Sequence, residues 1–297
     1  MTVIRNAVTL YDDNAAPQFN NIKIEKIATG FQFTEGPVWH PDQYLLFSDI
    51  PANVIWQLYP DGRVKYYMDN SGLLNNDTSA LSDMVGSNGL AIDTQQNLII
   101  CQHGNHGIVL QDKFGVMSVL TSQYEGRPYN SPNDLVIRSD GSIYFSDPPY
   151  GLKDQVLHAD IFQPHAGVYC YKNGIVNLVS KKLNYPNGVC FSPDESYLYV
   201  SSNHPDEARL YRYHLSVTGE IKDETVIAEQ NADGIKTDQN GTLFLCTDNG
   251  VMMLSPQGKK IALISLPESP TNIAWVKPEY SHLYITARSS IYLVTGF

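Results

Sequence analysis

The 297-residue chain is predicted to be all-β and to fold as a six-bladed β-propeller. The main evidence is an internal repeat. Six similar segments follow one another and begin at Glu35, Asn88, Asn133, Asn187, Asp233 and Thr271. Successive starts are 53, 45, 54, 46 and 38 residues apart, close to the ~40–50-residue period of a propeller blade. The composition agrees, since 21 Gly, 17 Pro and 19 Tyr with only 17% charged residues indicate a turn-rich, folded protein.

Each segment has the pattern of a β-hairpin. Apolar residues alternate with others, a turn such as SDGS (139–142) or PDES (193–196) follows, and a second alternating run closes the segment. The outer strands of the blades are predicted from NVIWQLYP (53–60), GIVLQDKF (107–114), GVYCYKNG (167–174), RLYRYHLS (209–216) and GVMMLSPQG (250–258). A β-sandwich or two small barrels are the alternatives, but neither predicts six similar hairpins in series.

The whole chain, residues 1–297, is predicted to be a single propeller domain, because no linker-like stretch divides it. Residues 1–20 are interpreted as an N-terminal extension or as a segment that closes the last blade. Residues 148–165 form a long connection between two strands, and we expect it to overhang one end of the channel.

Charge and hydropathy exclude several classes of partner. The net charge of −11 and the pI of about 5.1 disfavour nucleic acid, and no basic cluster or long apolar segment indicates a membrane. The four cysteines have no C-x-x-C spacing and are expected to be buried and reduced. We therefore expect a cytoplasmic protein, with the periplasm or secretion as alternatives if a signal peptide has been removed. The oligomeric state is not predicted.

The first residue of each repeat suggests a metal site. These six residues, called here the ring positions, should lie at equal height around the central channel: Glu35, Asn88, Asn133, Asn187, Asp233 and Thr271. Their side chains offer carboxylate, amide and hydroxyl oxygens without imidazole or thiolate, a set that suits Ca²⁺, Mg²⁺ or Mn²⁺. The competing interpretation is that repeated Asn-Gly and Asp-Gly pairs serve only as turns. Glu35 and the Asn-Asp pair at 133–134 do not fit that interpretation.

The same residues lie in motifs that resemble the senescence-marker-protein/gluconolactonase family, which includes regucalcin-like lactonases. The motifs are TEGPVW (34–39), SPND (131–134), YFSDPPYG (144–151), YPNGVCFSPD (185–194), ADGI (232–235), and TNIAW with LYIT after residue 270. The resemblance implies a six-bladed propeller with one divalent metal ion in its channel, most simply Ca²⁺, with Mn²⁺, Mg²⁺ and Zn²⁺ as alternatives. It implies as metal ligands Glu35, Asn133, Asn187 and Asp233.

The activity that this resemblance implies is hydrolysis of a small-molecule substrate, an aldono-lactone such as gluconolactone. Two departures concern the substrate. The second blade reads QHGNHG (102–107), without the two arginines that follow EHG in bacterial gluconolactonase-like members, and Ser131 stands where regucalcin-like members have arginine. Other lactones, other esters or organophosphates, as in paraoxonase or diisopropylfluorophosphatase, are therefore the alternative substrates. A Ca²⁺-binding scaffold without activity is a third interpretation.

Roles within the predicted site follow from residue type. Asp233 is the predicted catalytic base, and a hydroxide bound to the metal is the alternative. Substrate contacts are predicted for Asn88, His103, Tyr150 and Asn272. His103 is also considered as a proton shuttle, whereas Asp134 and Asp147 are expected to cap turns. No G-x-S-x-G elbow is present, so serine-hydrolase chemistry is not indicated.

Overall fold

The computed structural model describes residues 2–4, 7–73 and 84–297. Before the first repeat lie three strands, β1 (Thr2–Ile4), β2 (Val8–Leu10) and β3 (Lys23–Thr29). A 3-10 helix (Asp13–Ala15) and the one-turn α1 (Ala16–Phe19) separate β2 from β3. None of the helices in the described ranges has the length and apolar content needed to cross a membrane.

In the described ranges the remaining strands form six antiparallel blades around a central channel, as the repeat predicts. Blade 1 contains β4 (Thr34–His40), β5 (Tyr44–Asp49), β6 (Val54–Leu58) and β7 (Val64–Asp69). Blade 2 contains β8 (Ser87–Ile92), β9 (Leu98–Gln102), β10 (Gly107–Gln111) and β11 (Met117–Thr121). A small hairpin of β12 (Gln123–Tyr124) and β13 (Arg127–Pro128) follows. Blade 3 contains β14 (Leu135–Ile137), β15 (Ile143–Asp147), β16 (Gly167–Lys172) and β17 (Ile175–Ser180).

Blades 4, 5 and 6 continue the same up-and-down order. Blade 4 contains β18 (Pro186–Phe191), β19 (Tyr197–Ser202), β20 (Arg209–Leu215) and β21 (Ile221–Ala228). Blade 5 contains β22 (Ile235–Thr237), β23 (Leu243–Thr247), β24 (Gly250–Leu254) and β25 (Lys260–Ile264). Blade 6 contains β26 (Pro270–Trp275), β27 (His282–Ala287) and β28 (Ser290–Thr295). Short 3-10 helices occupy Lys153–Gln155 and Pro205–Glu207.

The hydrophobic core lies between the faces of neighbouring blades. Successive side chains of a strand point to opposite faces, so the alternating apolar residues of each strand reach the blade on either side. Between blades 2 and 3, for example, Cys101 and Ile108 pack with Phe145 and Tyr169. Fully burying an aliphatic or aromatic side chain of this size contributes about 1.5–3 kcal/mol, and these interfaces therefore fix how the blades are arranged around the channel.

The N-terminal strands complete the last two blades. Strand β3 pairs antiparallel with β28 as the fourth strand of blade 6, and β1 adds a fifth strand beside β3. Strand β2 pairs with β25 at the edge of blade 5. Segments from both ends of the sequence thus share a sheet, and the ring of blades is closed by backbone hydrogen bonds.

Serine hydroxyls link consecutive blades near the channel. In three blades a serine on the second strand donates to the backbone carbonyl of the ring position of the next blade. The pairs are Ser48 with Asn88 (2.7 Å), Ser146 with Asn187 (2.7 Å) and Ser201 with Asp233 (3.0 Å). Cys101 and Cys246 stand at the corresponding position of blades 2 and 5. All four cysteines lie in strands and are free thiols, with Cys170 half-buried and the others buried.

Candidate active site

The ring positions lie where the innermost strands begin, next to a break in the strand register. In blade 1 the pairing of β4 with β5 shifts between Glu35 and Val38, and similar shifts enclose Asn88 in β8 and Asn187 in β18. A bulge redirects the side chain that it contains. In blades 3 and 5 the ring position lies two residues before the innermost strand begins.

The glycines after the ring positions are explained by blade contacts more than by turns. A Cβ atom on Gly36 would lie 1.9 Å from the carbonyl oxygen of Asn88, and one on Gly188 would lie 2.4 Å from that of Asp233. Neither distance is compatible with a side chain, so the neighbouring blade leaves room for glycine alone. Packing between blades is therefore sufficient to explain the glycine of the Asn187–Gly188 pair.

Two carboxylates meet at this level of the channel. Glu35 is 3% exposed, and Asp233 is half-buried. Burial raises the pKa of Glu35, and the nearby Asp233 carboxylate raises it further. Burial also raises the pKa of Asp233 to about 7, although the Asn187 amide, which donates to its carboxylate, opposes this change. Two like charges held together away from water favour the uptake of a cation or a proton.

Amide side chains complete the predicted ligand set. Asn187 hydrogen-bonds with Asp233 and with the Tyr150 hydroxyl. Asn133 is buried, and its backbone carbonyl accepts from the backbone amide of Gly89 at 2.7 Å. The side-chain oxygen of Asn88 is buried without a hydrogen-bond partner among the described residues. An unsatisfied buried acceptor is costly, and it usually indicates a missing water, ion or ligand.

The sixth blade contributes differently. The Thr271 hydroxyl donates to the carbonyl of Thr34 in blade 1 (2.7 Å) and contacts the Thr286 hydroxyl (2.8 Å), so it joins two blades. Its neighbour Asn272 instead reaches the carboxylate level. The Asn272 Nδ2 donates to Glu35 Oε2 at 3.2 Å, and its Oδ1 accepts from the Ile273 amide at 2.9 Å. Both ends of the Asn272 amide are therefore used within the protein.

His103 lies behind Asn88. Its ring is 1% exposed, and its Nε2 is 3.4 Å from the Asn88 Nδ2. Burial lowers the pKa of His103 to about 4, and nearby His106 acts in the same direction. The connection 148–165 covers this side, since a Cβ on Gly151 would lie 2.8 Å from the imidazole. His106 itself contacts the backbone carbonyl of Asn130 at 2.6 Å, and its ring lies 4.4 Å from the Phe162 ring at a tilt of 35°.

A third carboxylate and a lysine lie deeper in the channel, and the sequence reasoning missed their relation. Asp134 is 2% exposed and forms an ion pair with Lys236, with 3.1 Å between Oδ2 and Nζ. Asp134 also accepts from the backbone amides of Leu135 and Val189, which agrees with the structural role expected for it. The sequence offered one signal, a lysine between Ile235 and Thr237 in the innermost strand of blade 5. Asp147 accepts from the backbone amides of Asn130 and Ser131 and from the Asn130 side-chain amide, so it holds the segment before β14.

The open side of the ring carries an arginine that was also missed. A small recess of about 60 Å³ is lined by Asp233, Thr271, Arg288, Asn203, Asn231 and Asp248, among others. Arg288 is exposed, adopts a left-handed backbone (φ 47°), and places its guanidinium 5.2 Å from the Phe33 ring. Its charge opposes the rise in the pKa of Asp233. Arg288 lies beyond the TNIAW repeat in a turn, where no residue pattern marked it.

Aromatic rings form one wall beside the ring positions. The Tyr150 ring lies 5.6 Å from the Tyr185 ring, which in turn stacks on His204 at 4.5 Å. Burial raises the pKa of Tyr150, and the Asp233 charge adds to this effect. The Tyr150 hydroxyl therefore stays protonated at neutral pH and can donate a hydrogen bond near the carboxylates.

The other end of the channel is a larger, mainly apolar cavity of about 620 Å³. Its walls come from the inner strands of all blades and include Trp39, Phe191 and Trp275, and Lys236 lies at its inner end. The Asp134–Lys236 pair thus separates this cavity from the ring positions.

The donor set fits a hard cation. In the ranges that the structure describes, no three side chains of the His, Cys, Asp or Glu type gather as a metal cluster. A cation at the ring would instead be held by two carboxylates and by amide oxygens, as Ca²⁺ prefers. The raised pKa values of the acids and the unpartnered Asn88 oxygen are the two observations that support this fit.

Comparison with known proteins agrees with the fold and shows the family. The sequence model of the SMP-30/Gluconolactonase/LRE-like region matches residues 33–289. The chain is 31% identical over 284 residues to a gluconolactonase of Zymomonas mobilis, covering 90% of this chain and 80% of that one. A solved gluconolactonase of Xanthomonas campestris superposes with a TM-score of 0.86 at 27% identity, over 98% and 95% of the two chains. The calcium-binding protein regucalcin of Agrobacterium tumefaciens shares the fold, with a TM-score of 0.73 at 20% identity over 92% and 94% of the two chains.

Proposed function

The chain belongs to the SMP-30/gluconolactonase/LRE-like family, and we propose that it hydrolyses a sugar lactone, an aldono-lactone, to the corresponding aldonic acid with the help of one divalent metal ion. The observation that carries this proposal is the interaction of the buried Glu35 with Asp233, whose carboxylate is bonded by the Asn187 amide and lines a recess at the channel. The gluconolactonase relatives support the substrate class.

Four side chains are proposed to hold the metal ion: Glu35, Asn133, Asn187 and Asp233. Two carboxylates balance the charge of one divalent cation, and four protein oxygens leave positions open on Ca²⁺, which takes about 6–8 ligands. Ca²⁺ is therefore the favoured ion, and Mn²⁺, Mg²⁺ and Zn²⁺ are alternatives to test. When bound, the ion would polarise the lactone carbonyl and stabilise the negative charge that develops on its oxygen.

The residues around the ion would orient the reactants and move the proton. Asp233 is proposed to accept a proton from the attacking water at its carboxylate, while the Asn187 amide keeps that carboxylate in place. Asn272 donates to Glu35 and so fixes the second carboxylate. We therefore assign Asn272 a positioning role, and its second N–H remains for the substrate contact that the sequence predicts.

Substrate contacts are proposed for residues beside the ring positions. The Tyr150 hydroxyl can donate to a ring oxygen or hydroxyl of the lactone, and Asn88 offers an unpartnered oxygen. His103, buried behind Asn88, would act through that residue. Arg288 supplies from blade 6 a guanidinium of the kind that is missing at QHGNHG and at Ser131.

Hydrolysis of another lactone or ester, or of an organophosphate, is the second candidate. One observation favours it: Ser131, at the family arginine position, uses its hydroxyl to accept from the Gly151 amide (2.9 Å) and to donate to the carbonyl of Pro148. That position therefore holds the 148–165 connection and offers no cation to a sugar hydroxyl. The aromatic wall of Tyr150, Tyr185 and His204 would accept a less polar ring equally well.

The first test is acid release from D-glucono-δ-lactone, followed with a pH indicator. We expect turnover above the spontaneous rate that EDTA abolishes and that Ca²⁺ restores, with Mn²⁺, Mg²⁺ and Zn²⁺ compared at equal concentration. Glu35→Gln and Asp233→Asn should each lose activity and metal affinity while the propeller remains folded. Asp112→Asn is the matched control, because this acid caps an exposed turn of blade 2 and should keep full activity.

The outcomes separate the candidates. Retained lactonase activity in both Glu35→Gln and Asp233→Asn would contradict the site assignment. No turnover with any metal would move the proposal to the second candidate, to be examined with xylono- and galactono-lactones, hydrophobic lactones and phosphotriesters. Unfolding of both variants, with Asp112→Asn folded, would indicate that the metal ion has a structural role.

A further inference from the structure

The ion pair below the ring positions is placed to act on a cation held there. Lys236 follows Asp233 by three residues at the start of blade 5, and Asp134 directly follows Asn133 in blade 3. The Lys236 ammonium lies 3.1 Å from the Asp134 carboxylate. Each group therefore follows a proposed metal ligand closely in sequence, where the innermost strands of blades 3 and 5 begin.

The four charged groups of the channel influence one another. Asp134 contributes to the raised pKa values of both Glu35 and Asp233. Burial lowers the pKa of Lys236, but Asp134, with smaller contributions from Cys190 and Glu35, outweighs this and raises it, so the lysine stays charged. When all four groups are ionised, three carboxylates and one ammonium carry a net charge of −2, which one divalent cation neutralises.

We propose that Lys236 acts as a fixed internal cation that, paired with Asp134, sets the metal affinity of the ring positions and limits the channel to one divalent ion. This inference rests on the proposed function, because it concerns the same cation. Without the lysine, three carboxylates would face one divalent ion and attract cations more strongly. Without Asp134, the lysine charge would repel the ion.

The cavity at the opposite end gives the lysine a second effect. Lys236 forms the inner end of that 620 Å³ cavity, so its ammonium lies between Asp134 and any cation that enters from this side. Coulomb repulsion inside a protein is much less screened than in water. A second divalent ion is thereby kept out of the channel.

A double-mutant cycle at Lys236 and Asp134 tests the proposal. Ca²⁺ affinity is measured by chelator competition at pH 8, and the number of bound ions by elemental analysis. We expect one Ca²⁺ per wild-type chain. Lys236→Met should bind Ca²⁺ about tenfold more tightly or more, and Asp134→Asn about tenfold more weakly or more, since each leaves one uncompensated charge. The double variant should return to within about threefold of wild type, and Lys236→Arg should stay close to it.

The two single variants are expected to change Ca²⁺ affinity in opposite directions, and this distinguishes the proposed role from a merely structural one. If both single variants weaken Ca²⁺ binding, or if the double variant is weaker than either, the pair only supports the fold and the proposal is wrong. Two Ca²⁺ ions in the wild-type channel would also overturn it, whether or not a variant folds. A wild type that binds no Ca²⁺ beside a Lys236→Met chain that binds one would support the lysine's role and contradict the proposed metal dependence. No binding in either chain would contradict both.

Discussion

Single side chains at the ring are held by partners that fix their direction. Glu35 accepts from the Gly36 amide at 2.7 Å and from the Asn272 amide at 3.2 Å. Asp233 accepts from Asn187. A carboxylate oriented by neutral donors keeps its remaining oxygen lone pairs available, which is what a ligand to a cation requires. The identity of each partner therefore matters as much as the acid itself.

Arg288 gives a residue-level prediction about the substrate. Arg288→Gln removes the guanidinium beside Asp233 but keeps the backbone carbonyl that accepts from Thr34. We expect KM for a sugar lactone to rise about tenfold, equivalent to about 1.4 kcal/mol, with a smaller change in kcat. Steady-state kinetics would show it.

Arg63→Gln is the control for that prediction, because Arg63 is exposed and pairs with Asp61 on the outside of blade 1. It should leave both constants unchanged. An Arg288→Gln enzyme with wild-type KM would remove Arg288 from the substrate contacts.

The sequence allowed the ring positions to be named but not their neighbours' functions. Glu35, Asn133, Asn187 and Asp233 share one place in a repeat, so aligning the segments is enough to group them. Their role as metal ligands stays a prediction. Lys236 and Arg288 belong to no repeated pattern, and Asp134 looked like a turn-capping residue. Their significance depends on contacts between different blades, which sequence spacing does not encode.

At the scale of the strands, β3 is held to β28 by a group of contacts around Glu268, here called the clamp. Glu268 accepts from Lys26 of β3 at 2.7 Å, and from Ser289, Ser290 and Tyr292 around β28 at 2.6–3.1 Å. Burial raises the pKa of Glu268, but these donors, led by Lys26, outweigh it and lower the pKa to about 2. One carboxylate therefore joins β3 to β28.

The clamp predicts how stability depends on pH. Because the folded pKa of Glu268 is below its ordinary value of 4.5, its contribution is complete above about pH 4.5 and is lost as the pH falls toward 2. Glu268→Gln should lower the free energy of unfolding by about 1–3 kcal/mol near pH 7, and this difference from wild type should shrink in acid. Chemical denaturation at pH 7 and pH 3 would measure it.

Glu229→Gln provides the comparison, since Glu229 forms an exposed pair with Arg209, of a kind that contributes little. A difference between wild type and Glu268→Gln that stays constant from pH 7 to pH 3 would contradict the clamp.

The strands of the blades were predictable from the alternation of apolar residues, whereas the strand pairing that closes the propeller was not. The six hairpins follow from the period-2 pattern, and the family motifs place them in order. The pairing of β3 with β28 joins residues more than 260 positions apart, and residues 1–20 offered no pattern that distinguished covering a blade from completing one. Strands β1 and β2 pair at the edges of blades 6 and 5.

For the whole molecule, a cation at the ring would connect four blades. Its proposed ligands come from blades 1, 3, 4 and 5, so binding should stabilise the folded state globally. At a Ca²⁺ concentration 100 times Kd, we expect a gain of about 2.7 kcal/mol and a rise in Tm of about 5 °C. Differential scanning calorimetry with Ca²⁺ and with EDTA would detect it.

Asp233→Asn should lose this Ca²⁺-dependent rise, and Asp112→Asn should keep it. A wild-type Tm that does not respond to Ca²⁺ would argue against a cation bound in the folded channel.

The pairing of β3 with β28 also means that the propeller does not depend on where the chain starts. Lys23 lies opposite Thr295 in this strand pair, here called the seam. The ring of blades is therefore closed inside blade 6 by hydrogen bonds between the two ends of the chain. A circular permutant could move the seam to another outer hairpin, such as the turn around the exposed Val217 between β20 and β21. Every contact along the channel would then be retained by a chain whose blades are read in a different order.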